Sequence, residues 1–470
     1  MALGQAPFDL PLVMLAAMAA AVWLFCEAGS VRRAALTGWC LGLGYFGLAL
    51  HWIVSPFLVD VARHGWMAPF AVVLLSAGLA LFWGLAFGLA RWLGPSRWLL
   101  VLSWPAVELL RAYVFTGFPW AMPAQALVDG LAGQGLAWVG PYALNLALVA
   151  GAVALVAAHW PVRVALALGL GVLVVLPPLA GPAPMTGTVV RLVQPNAAQH
   201  EKWDPGLVPV FFERQLAYTA ADDTGRRPDA VIWSETAIPW TLERAGGALE
   251  EIGRAADGVP VILGVQRIEG SRIYNALAVL GPGGAVAEVY DKHHLVPFGE
   301  YLPLGDLAAR FGLHGMAARE GNGYTPGPGA RILEIAGLGA VLPLICYEAV
   351  FAHDVNAAPA RPALMVQVTN DAWFGKGAGP LQHLAQARMR AIEQGVPLAR
   401  SANTGVSAMI DPWGRVTGQL ALNEAGYLDA GVPQVRPRTL YARTGDLPLT
   451  LILGLGLLAA AATQRFRNTD

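Results

Sequence analysis

From Met67 to Ala90 the chain carries no charged residue, and this run constrains the fold more than any other feature. A helix that crosses the hydrocarbon core of a bilayer needs roughly 20 apolar residues. Comparable apolar runs lie near 10–28, 34–54, 97–115, 135–158 and 162–180, and a seventh at about 447–464. Asp, Glu, Lys and Arg number 12 in residues 1–180, 47 in 181–444 and 4 in 445–470. The chain therefore reads as a transmembrane bundle of about six helices over 1–180, a soluble segment over 181–444, and a last transmembrane helix with a short tail over 445–470. Across all 470 residues, 13% are charged and 56% hydrophobic, against about 25% charged in ordinary soluble domains. This balance excludes a disordered or purely soluble chain. A net charge of −1 excludes nucleic-acid binding by bulk positive charge, and 3 cysteines exclude a disulfide scaffold. The first run lacks a basic leader and further spans follow it, so a cleaved secretory signal does not fit.

Arginines orient the bundle, because positive charge is retained in the cytoplasm. Arg32 and Arg33, Arg91 and Arg97, Arg163, and Arg465 and Arg467 all fall on one side of an alternating topology. The other side has Arg63, with Arg111 near the outer end of its span. The 181–444 segment is then expected outside the cytoplasm and the C-terminus inside. Six preceding spans put the N-terminus outside as well, without a basic anchor. Either the first helix inserts in that less usual sense, or a further helix precedes Met1.

Pro177-Pro178 and Gly181-Pro182-Ala183-Pro184 end the last N-terminal run and act as a linker. Beyond them, strand-like runs alternate with helical patterns. Thr188–Val193, Ala230–Trp233, Val261–Val265, Val341–Cys346 and Leu364–Thr369 read as buried strands. Hairpins are expected around Gly281-Pro282-Gly283-Gly284 and Asp411-Pro412-Trp413-Gly414, and helices over Pro209–Ala221 and Pro380–Gln394. The mixture implies an α/β sandwich, whose sites gather at the carboxyl ends of strands.

Three chemically capable residues sit at such ends. Glu235 follows Ala-Val-Ile-Trp-Ser, Lys292 follows Val-Tyr-Asp, and Cys346 follows Val-Leu-Pro-Leu-Ile. Each has a plain structural reading: a buried small hydrophobe for Cys346, an ion pair for Glu235 and Lys292. Together they have a chemical one. A thiol nucleophile needs a base and nearby positive charge. Partial burial raises a glutamate toward that duty, and an ammonium can hold a thiolate or an oxyanion. Lys292 is one of three lysines beside 28 arginines, so the position favours a compact point charge against the chain's own bias.

Trp233-Ser234-Glu235, the run from Tyr290 through Asp291-Lys292-His293-His294-Leu295-Val296-Pro297-Phe298-Gly299 to Glu300, and Cys346-Tyr347-Glu348 resemble the three catalytic motifs of the nitrilase superfamily. The extended second motif, Asn370-Asp371-Ala372-Trp373-Phe374-Gly375 and the Gln382-His383 to Arg390-Ala391 helix resemble the apolipoprotein N-acyltransferase family within it. A helical bundle before the domain and one span after it match too, so the resemblance covers nearly the whole chain. It implies an α-helical transmembrane bundle joined to a nitrilase-like αββα sandwich with a Glu235–Lys292–Cys346 triad. It also implies supporting roles for Glu300, Tyr347 and Glu348, and substrate binding or loop movement at Trp203 and Trp373. The family typically has eight spans where seven are counted here, which favours a helix upstream of Met1.

His293-His294 lacks the surrounding Cys/His/carboxylate spacing of a metal site. Glu108 and Arg111, in a span, are functional suspects by location, but their i, i+3 spacing makes a local ion pair the simpler account.

The activity this resemblance implies is ping-pong acyl transfer. Cys346 takes a fatty acyl group from a membrane phospholipid as a thioester and passes it to the α-amino group of a diacylglyceryl-cysteine at an apolipoprotein N-terminus. The expected location is a bacterial inner membrane, with the catalytic domain on the periplasmic side, and the mechanism calls for no cofactor or metal. A membrane-bound amidohydrolase would use the same triad but admit water to the thioester. A transporter or receptor would show polar, interrupted helices near mid-membrane and would leave three motifs unexplained.

Overall fold

The computed structural model describes residues 1–223, 225–303 and 323–467. They form two compact units. One comprises Met1–Gly181, Gly377–Gln394 and Arg438–Asp470, the other Pro182–Lys376 and Gly395–Pro437.

The first unit is helical. By length and apolar composition, three of its helices among the described residues can cross a membrane: Val61–Leu93, Leu131–Ala157 and Leu447–Phe466. Val31–Ala49 and His51–Leu58 form a further span if taken together, bent by 47°. Pro11–Glu27 and Trp160–Val175 are shorter apolar helices. The apolar run near 97–115 is α-helical only over Leu100–Arg111 and then turns, with Phe115 at φ +57°. The Glu108–Arg111 pair stands where that helix ends. Its charges are 2.6 Å apart and buried, Trp83 donates to Glu108 at 2.7 Å, and Arg111 also donates to the carbonyls of Phe118 and Trp120. These partners offset much of the desolvation cost that an isolated pair incurs in a membrane.

The helix Ala378–Gln394 groups with this unit although the residues on either side of it belong to the other. Its Gln382 supplies the reason. The side-chain oxygen accepts from Trp52 and Trp120 at 3.1 and 2.8 Å, and the nitrogen donates to the carbonyls of Ala6 and Ala49 at 3.0 Å. Ala49 ends the first arm of the bent span, where backbone carbonyls lose their helical partners.

The second unit holds two six-stranded mixed sheets. The first contains β1 (Met185–Gln194), β2 (Ala230–Ile232), β3 (Val261–Glu269), β4 (Arg272–Leu280) and β5 (Val286–Asp291). The second contains β6 (Leu333–Ile335), β7 (Gly339–Ile345), β8 (Leu364–Thr369), β9 (Leu398–Ala402), β10 (Ser407–Ile410) and β11 (Val416–Leu420). The last strand, β12 (Gly426–Pro433), returns to the first sheet, giving the orders β12-β1-β2-β3-β4-β5 and β11-β10-β9-β8-β7-β6. Each sheet has a parallel centre, β1-β2-β3 and β7-β8-β9.

Alternation along each strand builds two cores. Ile232, Ile262, Leu277 and Val279 face the other sheet and pack with Val341, Ile345, Val366 and Val368. Val231, Trp233, Leu263 and Ala278 face outward, onto Phe212 of the helix Val208–Ala220 and Ile252 of the helix Gly246–Ala256. Burial on both faces explains why these strands read as continuous apolar runs. Each fully buried aliphatic side chain here contributes roughly 1.5–3 kcal/mol.

Candidate active site

The parallel centres aim their carboxyl ends at one place. Glu235 lies three residues beyond β2, Cys346 directly follows β7, and Asn370 follows β8. Two chain reversals after β3 make β5 parallel to it, so Lys292 arrives from the same direction. The β2–β3 ladder continues past its last paired residues, with Gly264 N–H donating to Ser234 and Ala237 N–H to Gly264. A side chain at Gly264 is excluded, because a Cβ there would lie 2.5 Å from the Glu235 Cα.

Cys346 has φ +50°, a left-handed conformation that a non-glycine residue adopts at a cost of order 1–3 kcal/mol. Glu348 holds it there. One carboxylate oxygen accepts from the Ile345 N–H at 2.7 Å, the other from the His293 N–H and the Tyr290 hydroxyl, both at 2.8 Å. Glu348 thus ties the Cys346 turn to the segment that follows Lys292. Beneath Cys346 runs a buried polar chain. Gln367 donates to the Cys346 carbonyl at 3.1 Å, Arg400 donates to Gln367 at 2.5 Å and pairs with Asp371, and Thr369 donates to Asp371 at 2.9 Å.

Around Glu235 the groups are fixed from several sides. Asn275, on β4, donates at 2.8 Å to both Glu235 and Glu300, and the Asn370 N–H donates to the second Glu235 oxygen at 2.8 Å. Lys292 Nζ is 2.8 Å from Glu300 and 3.9 Å from Glu235. In this state Glu300, rather than Glu235, is the closer partner of the lysine.

Electrostatics follow from burial. Desolvation raises Glu235 above the ordinary carboxylate range, and Glu300 adds to it, opposed by Lys292, Asn275 and Lys202. Burial also pushes the Cys346 thiol well up, with the Glu235 charge adding to it and Lys292 opposing. Burial alone would lower Lys292, but Glu300, Glu235 and the Cys346 sulfur hold it above its usual value. Transfer of a proton from the Cys346 thiol to the Glu235 carboxylate would leave the net charge of the buried site unchanged, as activation of a nucleophile requires.

Tyr347 packs edge-on against Phe351, with ring centroids 4.8 Å apart, and His294 stacks on the same ring at 3.6 Å while bonding Asp354 at 2.6 Å. His293 bonds Glu348 at 2.7 Å. Both histidines are therefore engaged in the framework of the turn. Trp203 is 43% exposed beside the buried Lys202, and Trp373 is half-buried in the turn Asp371–Phe374 after β8. Sequence reasoning missed Asn275, Gln367 and Arg400. Their signal is a polar residue inside an apolar strand, in Tyr-Asn-Ala-Leu, Val-Gln-Val and Ala-Arg-Ser.

Comparison with known proteins now decides the family. A profile described as carbon-nitrogen hydrolase matches residues 229–440, and one described as the apolipoprotein N-acyltransferase N-terminal domain matches residues 1–154. The apolipoprotein N-acyltransferase of Rhodopseudomonas palustris is 36% identical, covering 98% of this chain and 93% of its own length. The chain belongs to the apolipoprotein N-acyltransferase family. The enzyme of that name from Bradyrhizobium diazoefficiens is 38% identical over 97% of this chain and 92% of its own. Among solved structures, a mutant amidase of the nitrilase superfamily from Nesterenkonia AN1 is 19% identical, with a TM-score of 0.42, covering 57% of this chain and 98% of its own. The protein is thus a membrane acyltransferase whose sandwich carries a buried nitrilase-type cysteine.

Proposed function

We propose that Cys346 is the nucleophile, Glu235 the general base, and Lys292 the cation that stabilises the thiolate and the oxyanion of the tetrahedral intermediate. Cys346 attacks the ester carbonyl of a membrane phospholipid while Glu235 takes the thiol proton. That proton then passes to the departing oxygen, lysophospholipid leaves, and a thioester remains. The α-amino group of a diacylglyceryl-cysteine at an apolipoprotein N-terminus attacks the thioester, Glu235 accepts the amine proton, and the C–S bond breaks as that proton passes to the departing Cys346 sulfur. Glu300 holds Lys292, Glu348 holds the nucleophile turn, Tyr347 packs the floor of that turn, and Trp203 and Trp373 contact substrate.

The observation that carries this reading is the gathering of Glu235, Lys292 and Cys346 in one buried site. Glu235 is fixed by Asn275 and Asn370, Lys292 is already neutralised by Glu300, and Cys346 is buried with them. Both substrates have chains that reside in a bilayer, and the helical unit keeps the sandwich there. The arginine distribution supports a periplasmic catalytic domain, borne by segment 181–444, with residues 1–180 and 445–470 as its membrane anchors and the C-terminus in the cytoplasm.

The test is a two-stage chase. Enzyme loaded from phospholipid and freed of donor is given a diacylglyceryl-cysteinyl peptide. Transfer of the acyl group to the peptide amine, with little free fatty acid, is expected. Release of fatty acid at one rate with and without peptide would instead support the amidohydrolase-like reading.

A further inference from the structure

Two of the three lysines in this arginine-rich chain meet at Glu235. Lys292 belongs to the triad. The other, Lys202, is 7% exposed, and its ammonium donates to the main-chain carbonyl of Glu235 at 3.0 Å. It also lies over the Trp203 ring, 5.1 Å from the centroid. We propose that Lys202 is a positioning residue for the acyl-transfer site, its ammonium fixing the Glu235 backbone and biasing that carboxyl toward its ionised, proton-accepting form. This deepens the assignment of Glu235 as general base and rests on it.

The turn that carries Lys202 is tied to Glu235 twice. Besides the lysine bond, Gln199 accepts from the Asn370 side chain at 2.8 Å, while the Asn370 N–H holds the Glu235 carboxylate. Asn403 braces the turn by accepting from the Ala197 N–H at 2.9 Å, donating to the Ala197 carbonyl at 2.7 Å and to Asn370 at 2.8 Å. A neutral donor could satisfy a carbonyl equally well. A buried lysine does so only against a desolvation cost, so its charge needs a use. Burial brings Lys202 down to about 8, with the Glu235 carboxylate opposing the fall, and the ammonium in turn favours the Glu235 anion. Among the described residues, the charged and titratable groups that act on Glu235 are Lys292, Glu300, Cys346, Tyr324 and Lys202. Lys292 is the larger cation acting on Glu235, and Lys202 adds a smaller contribution of the same sign. The lysine also lines a cavity with Val208, Phe211 and Phe212, surroundings that accept an unbranched apolar replacement. Two buried oxygens in the same lining, Ser234 Oγ and Gln215 Oε1, have no hydrogen-bond partner among the described residues and suit the remaining ammonium protons.

The experiment is single-turnover acyl loading of the full-length enzyme in detergent from phosphatidylethanolamine, read by mass spectrometry of the Cys346 peptide between pH 5.5 and 9. Lys202→Met and Lys202→Gln should load more slowly on the acid side, the wild-type-to-variant ratio being roughly threefold larger at pH 5.5 than at pH 9, half a pH unit of limb displacement. Lys202→Arg should keep the wild-type limb. A ratio independent of pH would reduce Lys202 to a purely structural residue and overturn the proposal. If the neutral variants do not fold, an alkaline displacement of the limb in folded Lys202→Arg would overturn it equally. Wild type that loads, with Glu235→Gln that does not, keeps the general-base assignment whatever Lys202 does. Wild type that never loads removes both.

Discussion

Replacing Lys292 by Met tests how charge is balanced inside the site. The ammonium is 2.8 Å from Glu300, 3.9 Å from Glu235, and 1% exposed. Without it, two buried carboxylates share the single Asn275 amide, and both cannot stay ionised in one small volume. Stranding a buried charge costs about 3–5 kcal/mol, or about two to three and a half pH units at 1.36 kcal/mol per unit. The Glu235–Glu300 pair should therefore bind one extra proton near neutrality. Since Glu235 already sits above the ordinary carboxylate range, its limb should move further toward alkaline pH. The variant also lacks the proposed oxyanion cation, and loss of comparable groups costs about 10²–10³ in rate. In single-turnover loading at pH 7, Lys292→Met should fall by about 10³ or more and recover part of that loss above pH 9. Its melting curve must show a folded protein. A folded variant with the wild-type limb, or one within tenfold of wild type at pH 7, would refute the reasoning.

Two further outcomes follow from the framework. Gly264→Ala forces a Cβ to within 2.5 Å of the Glu235 Cα; overpacking of this kind costs about 1–3 kcal/mol, so calorimetry should show a lower Tm, and loading should fall more than the loss of folded protein explains. His293 is held above its ordinary value by Glu348, against the opposing effect of burial. A raised histidine stabilises the fold fully below its unfolded value near 6.5 and loses that contribution as pH rises through the folded value. The Tm difference between wild type and His293→Asn should therefore be largest near pH 6 and shrink toward pH 9, whereas a difference independent of pH would show that the histidine acts through packing alone.

The placement of Glu235, Lys292 and Cys346 was legible because each follows an apolar run, and strand ends are where α/β folds expose polar groups. Leu364–Thr369 reads as a strand and is one, and Thr188–Val193 is the core of β1. What could not be read lies in strands whose polar residues break the pattern. Arg400 and Gln367 are wholly buried, yet a hydropathy reading places such residues in solvent, since only the neighbouring strand shows that each satisfies the other. β12 was missed because Gly-Tyr-Leu-Asp-Ala is half-buried at a sheet edge. The role of the helix Ala378–Gln394 escaped for a related reason. Its polar Gln382 is buried by tryptophan donors far away in sequence, a relation that periodicity does not encode. The run near 97–115 is apolar in its middle, but its α-helix ends at Arg111 and the chain turns at Phe115, so the helix is shorter than the run.

The central claim is a fatty acyl thioester on Cys346, and the most direct measurement is mass spectrometry of the purified enzyme after incubation with phospholipid alone. The account predicts an acyl mass on the Cys346 peptide that neutral hydroxylamine removes and that Cys346→Ala never acquires. Unmodified Cys346, in protein shown to be folded and offered several phospholipids, would contradict it.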